Sequence, residues 1–428
     1  MSLKKTKNDL AWEKLFLKKN ILSVIKSEGN FRISATEINE FREARLMTKF
    51  DHKANLPEIF RENKLSILPV TRGDYVIAPM EIYKDIEFDE NEPINFVVLP
   101  QYLQSLNTNH ITSEAAAISC AYASGMLEDF LGAELLPTVT GRMSSDSFSF
   151  KVDCSLNDSK IDIDVSNSQI EIDGGFESLD SLCLVEAKNS ISTDFLIRQL
   201  YYPYRLWKRK INKSIRPIFM IYTNGIFHLY EYKFENENEI NSITLLRKRL
   251  YSLEKQEITI DELLELSHTT TQIREPKIPF PQADSFERII NLCELLNDKP
   301  LTKDEITTTY DFDPRQTDYY TNAGRYLGLI KDSNRDDIGC RLTTEGKNIL
   351  ELKFKEKQLM FAELILKHTV FAEVLLLYFH KAEEPTREEV VEIMKEAGLY
   401  KINSDSTYSR RASTILSWVR WILELVQN

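Results

Sequence analysis

The stretch from Ile170 to Lys188, IEIDGGFESLDSLCLVEAK, constrains this chain more than any other. Ile170 to Asp173 alternates apolar and acidic residues, Gly174 and Gly175 interrupt the run, and Ser181 to Lys188 resumes it as a second apolar segment. This pattern predicts a β-hairpin with acids at its ends. Side chains repeat every two residues along a strand, so Glu186 and Lys188 project from one face and Ala187 from the other. With Asp173 at the end of the partner strand, two carboxylates and an ammonium meet at one point. Such a group is costly to bury unless it holds something. Hard carboxylate oxygens suit Mg²⁺, which keeps several waters and takes a substrate phosphate as a further ligand. Asp173 and Glu186 are then the metal ligands, and Lys188 orients a water or steadies an oxyanion.

Asp173, twelve residues, then Glu186-Ala187-Lys188 resembles the Asp…(Asp/Glu)-x-Lys signature of the PD-(D/E)XK nuclease superfamily. The flanking text, IEIDGG through VEAKNSISTDFLIRQLYYPYRLW, is similar to bacterial type II restriction enzymes, and the likeness runs from about Glu114 to Phe234. Ile172 stands where the superfamily often has a proline. The resemblance implies an α+β / α/β multidomain protein with a central mixed β-sheet nuclease core flanked by helices. It also implies a further acid on the helix before the sheet. SGMLEDFLG is similar to that element, which gives Glu128, with Glu114 as the rival. Gln199 resembles the glutamine on the following helix that supports the catalytic lysine and touches phosphate. Asp162 and Asp164 alternate on a neighbouring strand, but Asp173 alone is followed by glycines, which would let a substrate backbone come close.

A length of 428 residues has room for two to four domains. Residues 1–94 read as an α/β segment opening on a basic amphipathic helix pair, where Arg45, Lys49, His52, Lys53 and Arg72 could meet DNA. Residues 95–266 read as the nuclease core, including one buried small-residue helix over Ser113–Leu131, capped by Ser113, and a hairpin turning at Asn224-Gly225. Three prolines between Pro276 and Pro281 mark residues 267–283 as a linker. Residues 284–355 follow the order helix, helix, helix, strand, turn, strand, helix, which resembles a winged helix-turn-helix domain, and 356–428 repeat its helices without the wing. Thr302/Glu305 and Thr386/Glu389 are capping boxes.

The net charge of −12 is opposite to what phosphate binding uses, so distribution decides. Lys188 to Arg216 carries eight basic residues and one acid, Asp194, whereas Lys84–Glu92 and Glu231–Glu239 are acidic. Arg198, Arg205 and Lys208 are placed on the DNA side of the helix expected over Asp194–Lys210, with Tyr201, Tyr202, Tyr204 and Trp207 in the core. Arg315, Gln316, Asn322 and Arg325 lie on the expected recognition helix, where such side chains pair with base edges. Arg410 and Arg411 are candidate phosphate contacts of the last helix.

Six isolated histidines and five scattered cysteines form no paired metal, disulfide or nucleophile motif, and no phosphate-binding Gly-x-x-x-x-Gly-Lys loop occurs. No apolar run reaches the ~18 residues of a membrane span, which predicts a cytoplasmic protein. The combined expectation is a type II restriction endonuclease that uses Mg²⁺ and acts on double-stranded DNA. It would be a homodimer, because cutting both strands needs two related sites, with a cognate methyltransferase encoded nearby. A non-catalytic DNA-binding regulator on the same fold, or a modification-dependent or repair nuclease, are the alternatives.

Overall fold

The computed structural model describes residues 5–88, 92–108, 111–254, 257–310, 312, 314–333, 339–400, 402 and 404–426. In the N-terminal unit, helices α1 (Lys7–Lys19) and α2 (Ile21–Glu28) bury Trp12, Leu15, Phe16, Ile21 and Ile25 at helical spacing. That face packs on strand β1 (Phe31–Ser34), helices α3 (Ala35–Asn39), α4 (Ala44–Thr48) and α5 (Glu58–Glu62), and strands β2 (Ser66–Pro69) and β3 (Asp74–Ala78). The three strands form one antiparallel sheet in the order β1-β3-β2.

From Leu68 and Val70 onward the chain also feeds a second, larger core. Its elements are β4 (Tyr83–Asp85), β5 (Ile94–Phe96), α6 (Glu114–Ala123), α7 (Met126–Leu131), β6 (Leu136–Ser144), β7 (Ser147–Asp153), β8 (Lys160–Ser166), β9 (Gln169–Glu177), β10 (Ser181–Lys188), β11 (Asp194–Leu196), α8 (Arg198–Lys210), β12 (Ser214–Thr223), β13 (Ile226–Phe234) and β14 (Ile243–Ser252). Seven strands make a mixed sheet in the order β5-β14-β13-β12-β10-β9-β6. Strands β10 and β12 are parallel and joined through α8, while β9/β10 and β12/β13 are antiparallel. Helix α8 covers one face with Leu200, Tyr201 and Tyr202. Helices α6 and α7 cover the other with Ala117, Ile118, Leu127 and Phe130. Strand β10 is therefore buried on both faces, which is why its sequence is an almost unbroken apolar run. The Asn224-Gly225 turn forms as expected, with φ of 49° and 75°.

Two local expectations change. Gly174 and Gly175 do not end the first strand of the hairpin; β9 runs through them to Glu177, and the turn lies at 178–180. A β-bulge sits there instead, because Val139 pairs with Gly175 but Gly141 pairs with Ile172, leaving one extra residue on β9. The glycines serve the protein's own packing rather than a substrate: a Cβ on Gly175 would stand 2.7 Å from Val139 Cβ, and one on Gly174 would stand 3.1 Å from Ile118 Cγ2.

The helical unit comprises α9 (Ile260–Thr269), α10 (Phe286–Asp298), β15 (Leu301–Thr302), α11 (Lys303–Thr309), α12 (Pro314–Tyr326), β16 (Ile330–Asp332), β17 (Gly339–Leu342), α13 (Thr344–Leu350), α14 (Phe354–Leu366), α15 (Thr369–Lys381), α16 (Arg387–Glu396) and α17 (Asp405–Glu424). Both capping boxes are present. The two domains expected at 284–355 and 356–428 share a single hydrophobic core, and Leu263 of α9 belongs to it rather than to the large sheet. The proline-rich stretch is no free linker either. Phe280 and Ala283 are buried in that core, and Trp418 donates to Ala283 O at 2.7 Å. The tip of the expected wing, at residues 334–338, lies outside the described residues.

The protein is thus a mixed α+β chain with one large mixed sheet and many helices. Among the described residues no helix is long and apolar enough to cross a membrane. Gly175→Ala is expected to destabilise the protein by roughly 1–3 kcal/mol through overpacking against β6, read from chemical denaturation.

Candidate active site

Asp173, Glu186, Lys188 and Gln199 converge at the C-terminal end of β10. The bulge in β9 turns Asp173 inward, so that its Oδ2 accepts a hydrogen bond from Ala187 N at 2.9 Å, beyond the last β9–β10 pair, Val185 with Gly174. Glu186 and Lys188 share the α8 face of β10, as period-two geometry requires, and form an ion pair there with side chains 10% and 15% exposed. Lys188 Nζ also donates to Ala187 O at 3.2 Å. Gln199, on the first turn of α8, donates from Nε2 to Glu186 Oε1 at 2.7 Å. Its own Oε1 is buried without a hydrogen-bond partner.

The electrostatics follow from burial and crowding. Burial raises the Glu186 carboxyl to about 7; the Asp173 and Glu114 charges add to this, and Lys188 opposes it. Burial alone would depress Lys188, but the charges of Glu186, Glu114 and Asp51 override it and hold the ammonium above its ordinary range. Burial likewise raises Glu114, with Asp173 adding and Lys188 opposing.

Those mutual influences set Glu114 in the electrostatic field of this cluster, whereas Glu128 is engaged elsewhere. A single helix was expected from Ser113 to Leu131. Ser113 caps it as expected, accepting from Ala116 N at 3.1 Å, but Gly125 at φ 77° breaks it into α6 and α7. Glu128 then lies beyond the break and accepts from Leu135 N at 3.0 Å. Asp162 and Asp164 lie on β8 in a separate two-stranded sheet, Asp164 hydrogen-bonded to Ser149.

Several expected DNA contacts are engaged elsewhere. Arg205 is buried, donates to Tyr201 Oη and Glu237 O at 2.7 Å each, and lies over the Phe148 ring at 5.0 Å. It is a structural residue and not a DNA contact, because an amphipathic helix turns that position toward the core. Arg198 lies over Tyr202 at 5.4 Å, whereas Lys208 is exposed. The four α8 aromatics are buried or partly buried in the core, as expected. Helix α8 begins at Arg198 because Asp194–Leu196 pairs with β4 as β11. Arg325 is held by Asp332 Oδ1 at 2.6 Å and by Asn322 Oδ1 at 2.9 Å, so this pair braces α12 against β16. Arg315 and Arg410 are exposed; Arg315 packs on Tyr319, and Arg411 donates to Gln282 Oε1. Gln316 is half-buried on α12.

The helical unit touches the site directly. Asn291 of α10, fully buried, accepts from Ile191 N at 3.1 Å and donates to Asn189 O at 2.8 Å, in the loop that leaves Lys188. Asn55 of the N-terminal unit donates to Thr307 O and Tyr310 O at 3.1 and 3.0 Å, and Tyr310 bonds Asn291. All three units therefore meet beside the lysine.

Among the described residues no group of three Asp, Glu, His or Cys side chains is arranged to hold a metal ion by itself. The donor chemistry nevertheless fits Mg²⁺, which needs only one or two carboxylates beside its waters. Asp173 and Glu186 would supply these, and the raised Glu186 and orphaned Gln199 oxygen mark a centre short of positive charge and of donors.

Three family models match the chain, each described as a domain of unknown function: DUF6996 over residues 9–77, DUF6997 over 78–252 and DUF7226 over 288–427. No curated protein and no solved structure matches. The converging residues of the sheet lie in the middle segment.

Glu186 keeps its proton to about 7 in the folded chain against 4.5 for an ordinary glutamate. Between these values the folded state binds more protons than the unfolded, so stability falls as pH rises through the window and the loss is complete above it. With EDTA present, Glu186→Gln should flatten the stability change between about pH 5 and pH 8 by about 1–3 kcal/mol in denaturant titrations. Identical pH profiles would contradict it.

Proposed function

We propose that this chain is a Mg²⁺-dependent DNA endonuclease of type II restriction character, with a PD-(D/E)XK-like core and a winged helix-turn-helix-like region for DNA recognition. One observation carries the reading: a buried carboxylate and lysine two residues apart on β10, joined by a bulge-directed aspartate and a helix glutamine, at the strand end beside a parallel crossover. Ligands favour that end of parallel strands in open sheets. Asp173 and Glu186 would hold Mg²⁺, which would supply positive charge to a phosphate under attack.

Lys188 is held in its ammonium form by the surrounding carboxylates, so it serves as a hydrogen-bond donor that steadies the anionic phosphate and orients the attacking water, not as the base. Gln199 fixes the Glu186 carboxylate through its amide. Asn291 ties the lysine's loop to the helical unit, so DNA held by that unit and the chemistry share one frame. The order α10, β15, α11, α12, β16, β17 supports the winged-helix reading, with exposed Arg315 and Arg410 as phosphate contacts and a half-buried Gln316 on the same helix as Arg315. Cutting both strands calls for a homodimer, and a restriction role calls for a methyltransferase that protects the host DNA.

Purified protein with Mg²⁺ should cleave unmethylated double-stranded DNA, and Lys188→Ala should slow cleavage roughly 10²–10⁴-fold while leaving binding intact. Binding without cleavage by the wild type would favour the non-catalytic regulator. Arg315→Ala and Arg410→Ala should each weaken DNA binding across sequences and lower the salt slope of log affinity by about one, measured by fluorescence anisotropy.

A further inference from the structure

Where the strand ends of the large sheet meet the helical unit there is a cavity of about 260 Å³. Its size is close to that of the smallest ligand sites of globular proteins, about 300 Å³. Asp173, Glu186, Lys188 and Gln199 do not line it, but Asn189, the residue after Lys188, does. Directional bonds set the spacing of its walls. Asn224, at the β12–β13 turn, and Gln358 of α14 are both buried and exchange two hydrogen bonds, at 2.7 and 3.3 Å. Phe354 N donates to Glu254 Oε2 at 2.7 Å, and Glu294 of α10 accepts from Thr223 Oγ1 and Asn224 N at 2.9 Å each.

Tyr222, Phe227 and Phe354 give the cavity aromatic walls, the first two with ring centroids 4.6 Å apart. Asn189 brings a buried Oδ1 that has no hydrogen-bond partner. Lys357 of α14 also lines the cavity; it is buried, lies 6.0 Å from the Phe354 ring centroid, and among the described residues has no carboxylate within ion-pair distance. None of the lining acids pairs with it. Glu254 and Glu294 are engaged as above, Glu305 is held by Thr302 in the capping box of α11, and Asp298 is exposed, as is Lys299. A buried ammonium without a partner is costly, and so is a buried acceptor without a donor.

We propose that this cavity binds a nucleoside monophosphate, free or as one nucleotide of a strand, with the base on the aromatic walls, a base N–H donating to Asn189 Oδ1, and the phosphate on Lys357. Aromatic side chains stack with any base, and a lysine ammonium is a compact charge suited to phosphate. The inference does not rest on the nuclease reading, because the cavity uses neither the expected metal ligands nor Lys188.

Titration calorimetry of the full chain with dAMP, in EDTA to keep divalent cations from the sheet centre, tests this. The wild type should bind dAMP, and Lys357→Met should weaken binding roughly 10–100-fold, the loss of one hydrogen bond between charged groups. The same substitution should raise the thermal midpoint of the free protein or leave it unchanged, because it removes an unpaired buried charge and keeps the shape. A lower midpoint would make the lysine structural and overturn its role here. A single-stranded oligodeoxyadenylate separates the two sources: Lys357-dependent binding of dAMP assigns the site to a free nucleotide, and such binding of the oligonucleotide alone assigns it to a nucleotide within a strand. If neither binds, or both bind Lys357→Met as tightly as the wild type, the proposal is overturned.

Discussion

A glutamate and a lysine buried side by side at the end of one strand set the terms for the rest of this molecule. Desolvating either charge costs several kcal/mol, and their attraction compensates only when the remaining lone pairs and protons find partners. Here Gln199 donates to Glu186, Ala187 O accepts from Lys188, and Asp173 takes the Ala187 N–H that the ladder leaves open. These partners come from β9, β10 and α8, so the local order of all three elements is needed to keep one ion pair in place. The arrangement remains one positive group among several carboxylates. That residual imbalance, rather than the ion pair, is what marks the spot as a candidate functional centre.

The same spot is where the three units of the chain touch. The loop leaving Lys188 is bonded by Asn291 from the helical unit, and the strand that follows it is bonded by His52 and Lys53 from the N-terminal unit. Asn55 closes the ring by bonding the backbone next to Tyr310. Buried amide and histidine contacts of this kind are directional, so a shift of either flanking unit is transmitted to the backbone that carries the lysine. Under the nuclease proposal, such a junction links the DNA-binding unit to the backbone that carries the lysine.

Legibility differed by the range of the interaction involved. Glu186 and Lys188 were readable because strand periodicity is strictly local, and the four α8 aromatics and the capping boxes because helical spacing is local too. Asp173 was readable as a residue but not as a geometry: the glycines after it suggested a break, whereas they admit the neighbouring Val139 and Ile118. Glu128 rested on the resemblance of SGMLEDFLG to a family element, and the break at Gly125 that sets it apart from Glu114 leaves no mark in the small-residue composition. Arg205 and Arg325 looked like DNA contacts because a basic side chain carries no mark of whether a carbonyl or a carboxylate already holds it.

The amino-acid order alone determined the strand, its two charged residues on one face, the covering aromatic helix and the caps, because each depends on a period of two to four residues. Only the tertiary structure decided that a bulge aims Asp173, that Gly125 separates Glu128 from the helix carrying Glu114, that the two C-terminal segments share one core, and that Asn291 reaches the lysine's loop from another unit. Those outcomes rest on contacts between residues far apart in the chain, where register, a helix break and burial choose among side chains of identical chemistry.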